Sequence, residues 1–227
     1  MRYYPVFADI KDKPCKVIGG GKVAERKVEG LLKAGASVTV ISPRISKTLD
    51  SLAKKGSISL IKRRYREGDL TGVFLAVSAS DSESVNKTVY NEALRAGILI
   101  NTVDDPERCS FIVPSVVDRG SLIIAISTSG KSPALARKLR EGLEKTIGGE
   151  YETFVDILGA VRKKLLKSNM NHVKKERVFK ALVNSPIPGW IKEKDFRKVE
   201  GFLVELLGKG YTLSGAGIKL KGQGGVK

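Results

Sequence analysis

The sequence predicts an α/β fold: a doubly wound parallel sheet, then a small mixed segment, then a helical part. Three observations favour this fold. Short apolar runs alternate with amphipathic segments over the first hundred residues. β-Branched residues concentrate in those runs, as in Ser37–Ser42, which reads SVTVIS. After Val103 the alternation stops, and helical periodicity follows a pair of short runs joined by a turn.

Five strands and three helices are expected in the first part. Strands and helices alternate through short links, which is typical of a parallel sheet with helices on both faces. Val73–Ala79 is nearly all apolar, as a strand covered on both faces should be. The predicted strands are Cys15–Gly19, Ser37–Ser42, Ile58–Lys62, Val73–Ala79 and Ile98–Val103, and the predicted helices are Val23–Lys33, Ser46–Lys55 and Asp81–Arg95, the last capped by Asp81.

The second part begins with two strand-like runs, Phe111–Val117 and Leu122–Ser127, joined by a turn at residues 118–120. Ser132 as N-cap and Pro133 as the first helical residue then predict a helix.

The pattern remains helical to about Gly208. Pro186 and Pro188 interrupt it, and a third helix of this region is expected at about Lys192–Leu207. One apolar stripe at helical spacing comprises Phe154, Ile157, Leu158, Val161 and Leu165. The chain is expected to divide into a nucleotide-type domain (1–110), a mixed segment (111–147), a basic helical domain (148–213) and a flexible tail (214–227).

The clearest motif is G-x-G-x-x-A, between the first strand and the first helix. Gly19 permits the tight turn, Gly21 leaves room for a pyrophosphate, and Ala24 lets the helix lie close to the strand. The helix N-terminus presents free N–H groups to the anion. A Rossmann-like dinucleotide site is therefore favoured over a plain glycine turn. Its residues are Gly19, Gly20, Gly21, Lys22, Val23 and Ala24.

The second strand ends without the acidic residue that usually holds the adenosine ribose; Ser42-Pro43-Arg44 stands there instead. Ser42 can hydrogen-bond a ribose hydroxyl. Arg44 can pair with a 2′-phosphate, which would favour NADP. Alternatively, Pro43 only ends the strand and Arg44 is solvated.

Asn101 and Asp104 lie at the end of the fifth strand, on the edge of the sheet that faces a ligand. The Asp104 carboxylate can take a proton or orient a substrate N–H. Asp105 precedes Pro106 and is expected to shape the turn. Taken alone, an aspartate at such a position is more often a loop cap than a catalyst.

A second loop carries hydroxyl groups and a glycine ahead of the helix that starts at Pro133. Such a loop suits a carboxylate or a phosphate, although a well-capped helix explains it equally well. Together with Asn101, the candidate substrate-binding residues are Ser127, Thr128, Ser129 and Gly130.

The charge is strongly positive. Lys and Arg number 41 against 24 Asp and Glu, a net charge of +17, and residues 151–227 hold 16 basic and 7 acidic side chains. Such a field attracts polyanions: nucleic acid, an anionic membrane or a small polycarboxylate. No compact basic run occurs, and only six Tyr, seven Phe and one Trp are available for stacking, so nucleic-acid binding is disfavoured. A cytosol that favours basic proteins is an alternative explanation.

Metal and membrane sites have little support. Cys15 and Cys109 form no CxxC pair, and His172 is the only histidine, so neither a metal site nor a Ser-His-Asp triad is expected. The first residues lack an apolar core of signal-peptide length, and the apolar run Leu122–Ile126 is too short to span a bilayer. The sequence predicts a soluble cytoplasmic protein with neither a nucleic acid nor a membrane as its partner.

Three blocks together resemble the precorrin-2 dehydrogenase family, the amino-terminal region of siroheme synthases. They extend over roughly Pro5–Glu141, in the family's order and with its spacing, and the basic helical remainder resembles the family in kind. The blocks are PVFADIKDKPCKVIGGGKVAERKVEGLLKAGASVTVISP, FLAVSASDSESVN and INTVDDPERCSFIVPSVVDRGSLIIAISTSGKSPALARKLRE.

The resemblance implies a reaction in which NAD, here preferred over NADP, takes a hydride from precorrin-2 and yields sirohydrochlorin. Some members of the family then insert Fe²⁺ to give siroheme. The family's functional aspartate falls on Asp104. The family also implies a homodimer whose crevice is completed by a middle segment, here Phe111–Lys145. The eight carboxylates of the substrate would give the positive charge a purpose.

Two other classes of function stay open. A non-enzymatic NAD-sensing module would bind the cofactor without turnover and would need no Asp104. A nucleic-acid-binding protein would use the positive charge, and its affinity would fall steeply with salt.

Overall fold

The computed structural model describes residues 3–208 and 212–214, and the chain divides into two compact units between Val113 and Pro114. The finer division predicted at residues 110, 147 and 213 stays a prediction. The predicted flexible tail, residues 214–227, lies outside the described residues except for Ser214.

The first unit is a five-stranded, fully parallel sheet with helices on both faces, so the predicted doubly wound fold is confirmed. Its elements are β1 (Pro14–Ile18), α1 (Lys22–Lys33), β2 (Ser37–Ile41), α2 (Lys47–Lys54), β3 (Ser59–Ile61), β4 (Leu75–Ser78), α3 (Glu83–Arg95), β5 (Leu99–Thr102) and a 3-10 turn, Pro106–Arg108. The strand order is β3-β2-β1-β4-β5.

The register brings the carboxyl ends of the strands level. Ile18 at the end of β1 pairs with Ile41 of β2 on one side and with Ser78 of β4 on the other, and Ser78 pairs with Thr102 of β5. The strand order reverses between β1 and β4. An open parallel sheet binds its ligands at such a reversal, outside the carboxyl ends of its strands.

The sheet is covered on both faces by apolar side chains. On one face Val28 of α1 and Leu49 of α2 pack against β1 and β2, and on the other Val89 and Ala93 of α3 pack against β4 and β5. All four residues of β4 are buried. This two-sided burial explains why Val73–Ala79 is nearly all apolar.

The predicted cap of α3 is wrong by one residue. Asp81 is exposed, and the helix begins at Glu83 with Ser82 as its N-cap. Ser82 has the extended backbone that an N-cap needs, and its hydroxyl accepts a hydrogen bond from the Val85 N–H at 3.5 Å.

The second unit begins with an antiparallel hairpin and continues in helices. The hairpin is separate from the parallel sheet, as the sequence indicated. Ser132 caps the first helix and Pro133 begins it, as predicted. The elements are β6 (Ser115–Arg119), β7 (Leu122–Ile126), α4 (Pro133–Thr146), α5 (Glu150–Leu166), α6 (His172–Val183), α7 (Ile187–Lys192) and α8 (Phe196–Leu207).

The helix predicted at Lys192–Leu207 begins later, at Phe196, and Lys192 is instead the last residue of a separate helix, α7. α7 ends at Lys192, and α8 begins at Phe196 after Asp195, whose carboxylate accepts from the Lys198 N–H at 3.2 Å. Lys194 has φ +60°, which ends α7. Pro188 lies within the first turn of α7, where a missing N–H costs nothing.

The helical part has its own core, in which the predicted stripe on α5 packs against α6, α7 and α8. Ile157, Leu182 and Ile187 are fully buried there. Within the described ranges, no helix has the length and apolar character needed to cross a membrane.

Candidate functional site

Buried polar side chains mark one edge of the sheet. The described residues include five buried polar or charged side chains, and four of them lie within the last two residues of a strand or directly follow one, at the carboxyl edge. Burying a polar group is unfavourable unless it is hydrogen-bonded, so such a cluster points to a built site. The four are Ser42, Ser78, Asn101 and Thr102.

The glycine turn follows β1 at this edge, and two of its glycines are required by the protein itself. Gly19 has φ +126°, and a Cβ there would lie 2.2 Å from the Ala79 carbonyl oxygen. A Cβ on Gly20 would lie 2.1 Å from the Arg44 carbonyl oxygen. The loops after β1, β2 and β4 therefore pack backbone to backbone, and no side chain fits between them.

Gly21 is different, because a Cβ there would meet nothing within 4 Å. It is the N-cap of α1, with an extended backbone and no side-chain cap. No side chain caps the first N–H groups of α1, as an anion site requires. Ala24 is fully buried beneath this turn and Lys22 is exposed. The turn fits the pyrophosphate of a dinucleotide.

The residues after β2 have separate roles. The Ser42 hydroxyl donates to the Arg44 carbonyl oxygen at 2.6 Å, so it closes its own loop. Pro43 and Arg44 are exposed, and Arg44 has no ion pair within the described part of the chain. A ribose contact by Ser42 and a 2′-phosphate contact by Arg44 both stay predictions.

The two neighbouring aspartates after β5 differ in their side-chain contacts. Asp104 is exposed, has φ +59°, and makes no hydrogen bond or ion pair among the described residues. Asp105 accepts from the Arg108 N–H at 3.2 Å and pairs with its guanidinium at 3.0 Å. Asp105 therefore shapes the turn, as expected, whereas the Asp104 carboxylate is available to a ligand.

A network that sequence reasoning missed surrounds this turn. Lys27 of α1 donates to the side-chain oxygen of Asn101 at 3.0 Å. The Asn101 amide donates to the Phe111 carbonyl oxygen at 3.2 Å and to the Cys109 sulfur at 3.5 Å. The spacing of Lys27 on an amphipathic helix gave no signal of this contact, since its partner lies 74 residues away.

The hydroxyl-rich loop belongs to the second unit, and most of its polar groups organise the loop. The Ser127 hydroxyl accepts from the Ser129 N–H, and the Thr128 hydroxyl accepts from the Ser132 N–H, both at 3.0 Å. Ser129 and Gly130 have φ +54° and +82°, and a Cβ on Gly130 would meet nothing within 4 Å. Substrate contacts by residues 127–130 stay a prediction.

Each of the two units contains a region that matches a known protein family. Residues 6–115 match a family model for NAD(P)-binding domains, and residues 119–146 match the model of the central region of sirohaem biosynthesis proteins. The chain is 43% identical to the siroheme synthase of Photobacterium profundum over 74% of this chain and 36% of that protein. This chain belongs to the siroheme synthase and precorrin-2 dehydrogenase family. The predicted NAD(P)-type domain is thereby confirmed.

Two further relatives cover almost the whole chain. The siroheme synthase of Mannheimia succiniciproducens is 35% identical over 99% of this chain and 47% of its own length. The solved structure of SirC, a precorrin-2 dehydrogenase, has a TM-score of 0.72 and 27% identity, covering 87% of this chain and 98% of that one. The chain thus spans less than half the length of these siroheme synthases and nearly all of SirC.

Proposed function

We propose that this chain dehydrogenates precorrin-2 to sirohydrochlorin with NAD. The observation that carries the proposal is the likeness to SirC, which extends over 98% of that precorrin-2 dehydrogenase. The NAD(P)-binding match over residues 6–115 and the open turn at Gly21 support the cofactor. The exposed Asp104 carboxylate at the same sheet edge, which has no partner among the described residues, supports the chemistry.

In the proposed mechanism, substrate oxidation removes a hydride and a proton. Bound NAD supplies the hydride acceptor. The N–H groups at the start of α1 would hold its pyrophosphate, and Gly21 would leave the space for it. Loss of the hydride leaves positive charge spread over the macrocycle, and Asp104 stabilises that charge and takes the pyrrole N–H proton.

We also propose that the chain acts as a homodimer through residues 111–145. The β6–β7 hairpin has no third strand within the described residues. Val116 and Ile123 are 39% and 46% exposed on it, and Leu135 and Leu139, one turn apart on α4, are 47% and 48% exposed. A hairpin without a third strand and with exposed apolar side chains is a suitable surface for association with a second copy of the chain.

Insertion of Fe²⁺ into the product, as a second activity, and location in the cytoplasm stay predictions. Within the described residues, no cluster of three or more His, Cys, Asp or Glu side chains could hold a metal ion. In such an activity the iron is a substrate, and we propose that it meets the macrocycle at the Asp104 edge.

The decisive experiment is incubation of the protein with precorrin-2 and NAD, followed by absorbance with and without Fe²⁺. We expect NADH to form in step with sirohydrochlorin, and a further spectral change if iron is inserted. NAD binding without turnover would instead favour the NAD-sensing module. Salt-sensitive retention of nucleic acid on a filter would favour the third class.

A further inference from the structure

Lys27 is an unusual lysine on the cofactor helix. It lies in the second turn of α1, partly buried, whereas Lys22 and Lys33 on the same helix are exposed. Its ammonium donates to the side-chain oxygen of Asn101 at 3.0 Å, and it has no ion pair among the described residues. A lysine can donate three hydrogen bonds, so a neutral amide oxygen alone compensates little of its lost hydration.

The positive charge of Lys27 is energetically unfavourable at this partly buried position. Burial lowers the pKa of Lys27, and the positive charge of Arg26 lowers it as well, whereas Cys109 and Asp104 act to raise it. A methionine of similar length would fill the same space without losing the hydration of a charge. A partly buried charge with one neutral hydrogen-bond partner motivates the hypothesis that Lys27 has a role beyond packing.

The contacts of Asn101 lead directly to the Asp104 turn. Its amide donates to the Cys109 sulfur at 3.5 Å. That sulfur accepts from the Thr102 N–H at 3.2 Å and can donate to the carbonyl oxygen of Thr102 at 3.2 Å or of Asp105 at 3.1 Å. The thiol therefore ties together the residues before and after Asp104, whose own side chain contributes no hydrogen bond to the turn.

We infer that Lys27 is a positioning residue for Asp104: through Asn101 it links the cofactor helix α1 to the turn that presents the carboxylate. The inference rests on the proposed function. Lys27 itself need not touch the substrate or the cofactor.

A double-mutant cycle tests the inference with Lys27→Met, Asp104→Asn and the pair. Lys27→Met should lower kcat by on the order of tenfold while the Kd for NADH, measured by fluorescence, changes less than about twofold. In the Asp104→Asn background the same change should cost less than about twofold, because the group on which it acts is gone. Lys27→Arg should restore most of the activity, and Lys33→Met is the matched control that should have no effect.

Equal losses from Lys27→Met in both backgrounds would overturn the inference and leave the proposed function intact. Full activity of Asp104→Asn would instead overturn the catalytic assignment. Hydrogen exchange gives a readout that needs no turnover: Lys27→Met, unlike Lys33→Met, should speed exchange of the backbone amides at residues 101–105. Unchanged exchange there would also refute the link, and thermal unfolding shows whether each variant is folded.

Discussion

The protein itself could accommodate a side chain at Gly21, because its backbone is extended and a Cβ would meet nothing within 4 Å. The absence of a side chain there therefore leaves space for a ligand. Gly21→Asp should therefore fold normally and lose NAD affinity by at least about a hundredfold, since a carboxylate would face the pyrophosphate at short range. Calorimetric titration measures the affinity, with Gly21→Ala as the uncharged control. Normal NAD binding by the aspartate variant would place the site elsewhere.

Gly19 shows the opposite case. Its φ of +126° and the 2.2 Å approach to the Ala79 carbonyl oxygen leave no room for any side chain. Gly19→Ala should lower the free energy of unfolding by roughly 1–3 kcal/mol or more through backbone strain. Chemical denaturation measures that loss, and unchanged stability of this variant would contradict the packing of the three loops.

Asp104 is the residue on which the proposed chemistry depends. Asp104→Asn keeps the size of the side chain, and asparagine tolerates the left-handed backbone, so the fold and NAD affinity should survive. Turnover should fall by on the order of 10²–10⁴, the usual contribution of a positioned general base. Any iron insertion should fall with it if the same carboxylate accepts the displaced pyrrole protons.

Loss of dehydrogenation with intact iron insertion would assign Asp104 to hydride chemistry alone. Near-normal turnover in both assays would show that Asp104 is not the catalytic group. Asp105 would then be tested next, although its carboxylate already forms an ion pair with Arg108.

At the scale of elements, the β6–β7 hairpin is where the proposed dimer can be tested. In the register of the hairpin, Val116 lies opposite Ala125 and Asp118 opposite Ile123, so Val116 and Ile123 share one face. Val117, on the other face, is fully buried. Replacing Val116 and Ile123 by lysine should give a folded monomer at micromolar concentration, because two buried charges per subunit would oppose association. Sedimentation measures the change.

Leu94 on α3 offers a matched control, since it is 63% exposed and lies in the first unit. Leu94→Lys should leave the association state unchanged. A monomeric parent protein at the same concentration would contradict the proposed dimer outright, whatever the variants do.

Element boundaries also show how local signals compete. Serine and aspartate are both good N-caps, so residue type does not decide between Ser82 and Asp81. Ser82 caps α3 because it directly precedes the first helical residue. The break between α7 and α8 depends on Asp195 and on the positive φ of Lys194. Neither a lysine in that conformation nor the use of Pro188 inside a first turn can be read from hydrophobic periodicity.

At the scale of the whole molecule, we propose that the net charge of +17 serves to capture a polyanionic substrate. Arg162 and Lys163 on α5 and Lys174 on α6 are exposed, whereas Lys175 donates to the Ser168 carbonyl oxygen at 3.0 Å and holds the loop between the helices. Reversing the three exposed charges to glutamate should raise the KM for precorrin-2 and weaken its salt dependence, with NAD affinity unchanged. Steady-state kinetics at two ionic strengths would measure both.

Reversing Lys11, Lys13 and Lys33, exposed on the first unit, controls for net charge alone. An equal rise in KM would show that total charge matters and its location does not. An unchanged KM for the helical variant at low salt would leave the positive charge without a role in substrate capture.

The sequence by itself determined the strand and helix order of the first unit, the glycine turn and the aspartate at the end of β5. These features are local: periodicity reports which face is buried, and glycine and aspartate have distinct backbone and charge properties. Only the tertiary structure decided that Gly20 packs against Arg44 and that Lys27 reaches Asn101. Those facts join residues from different strands and helices, and the physical reason is that folding sets such distances through packing of the whole sheet, which no local pattern encodes.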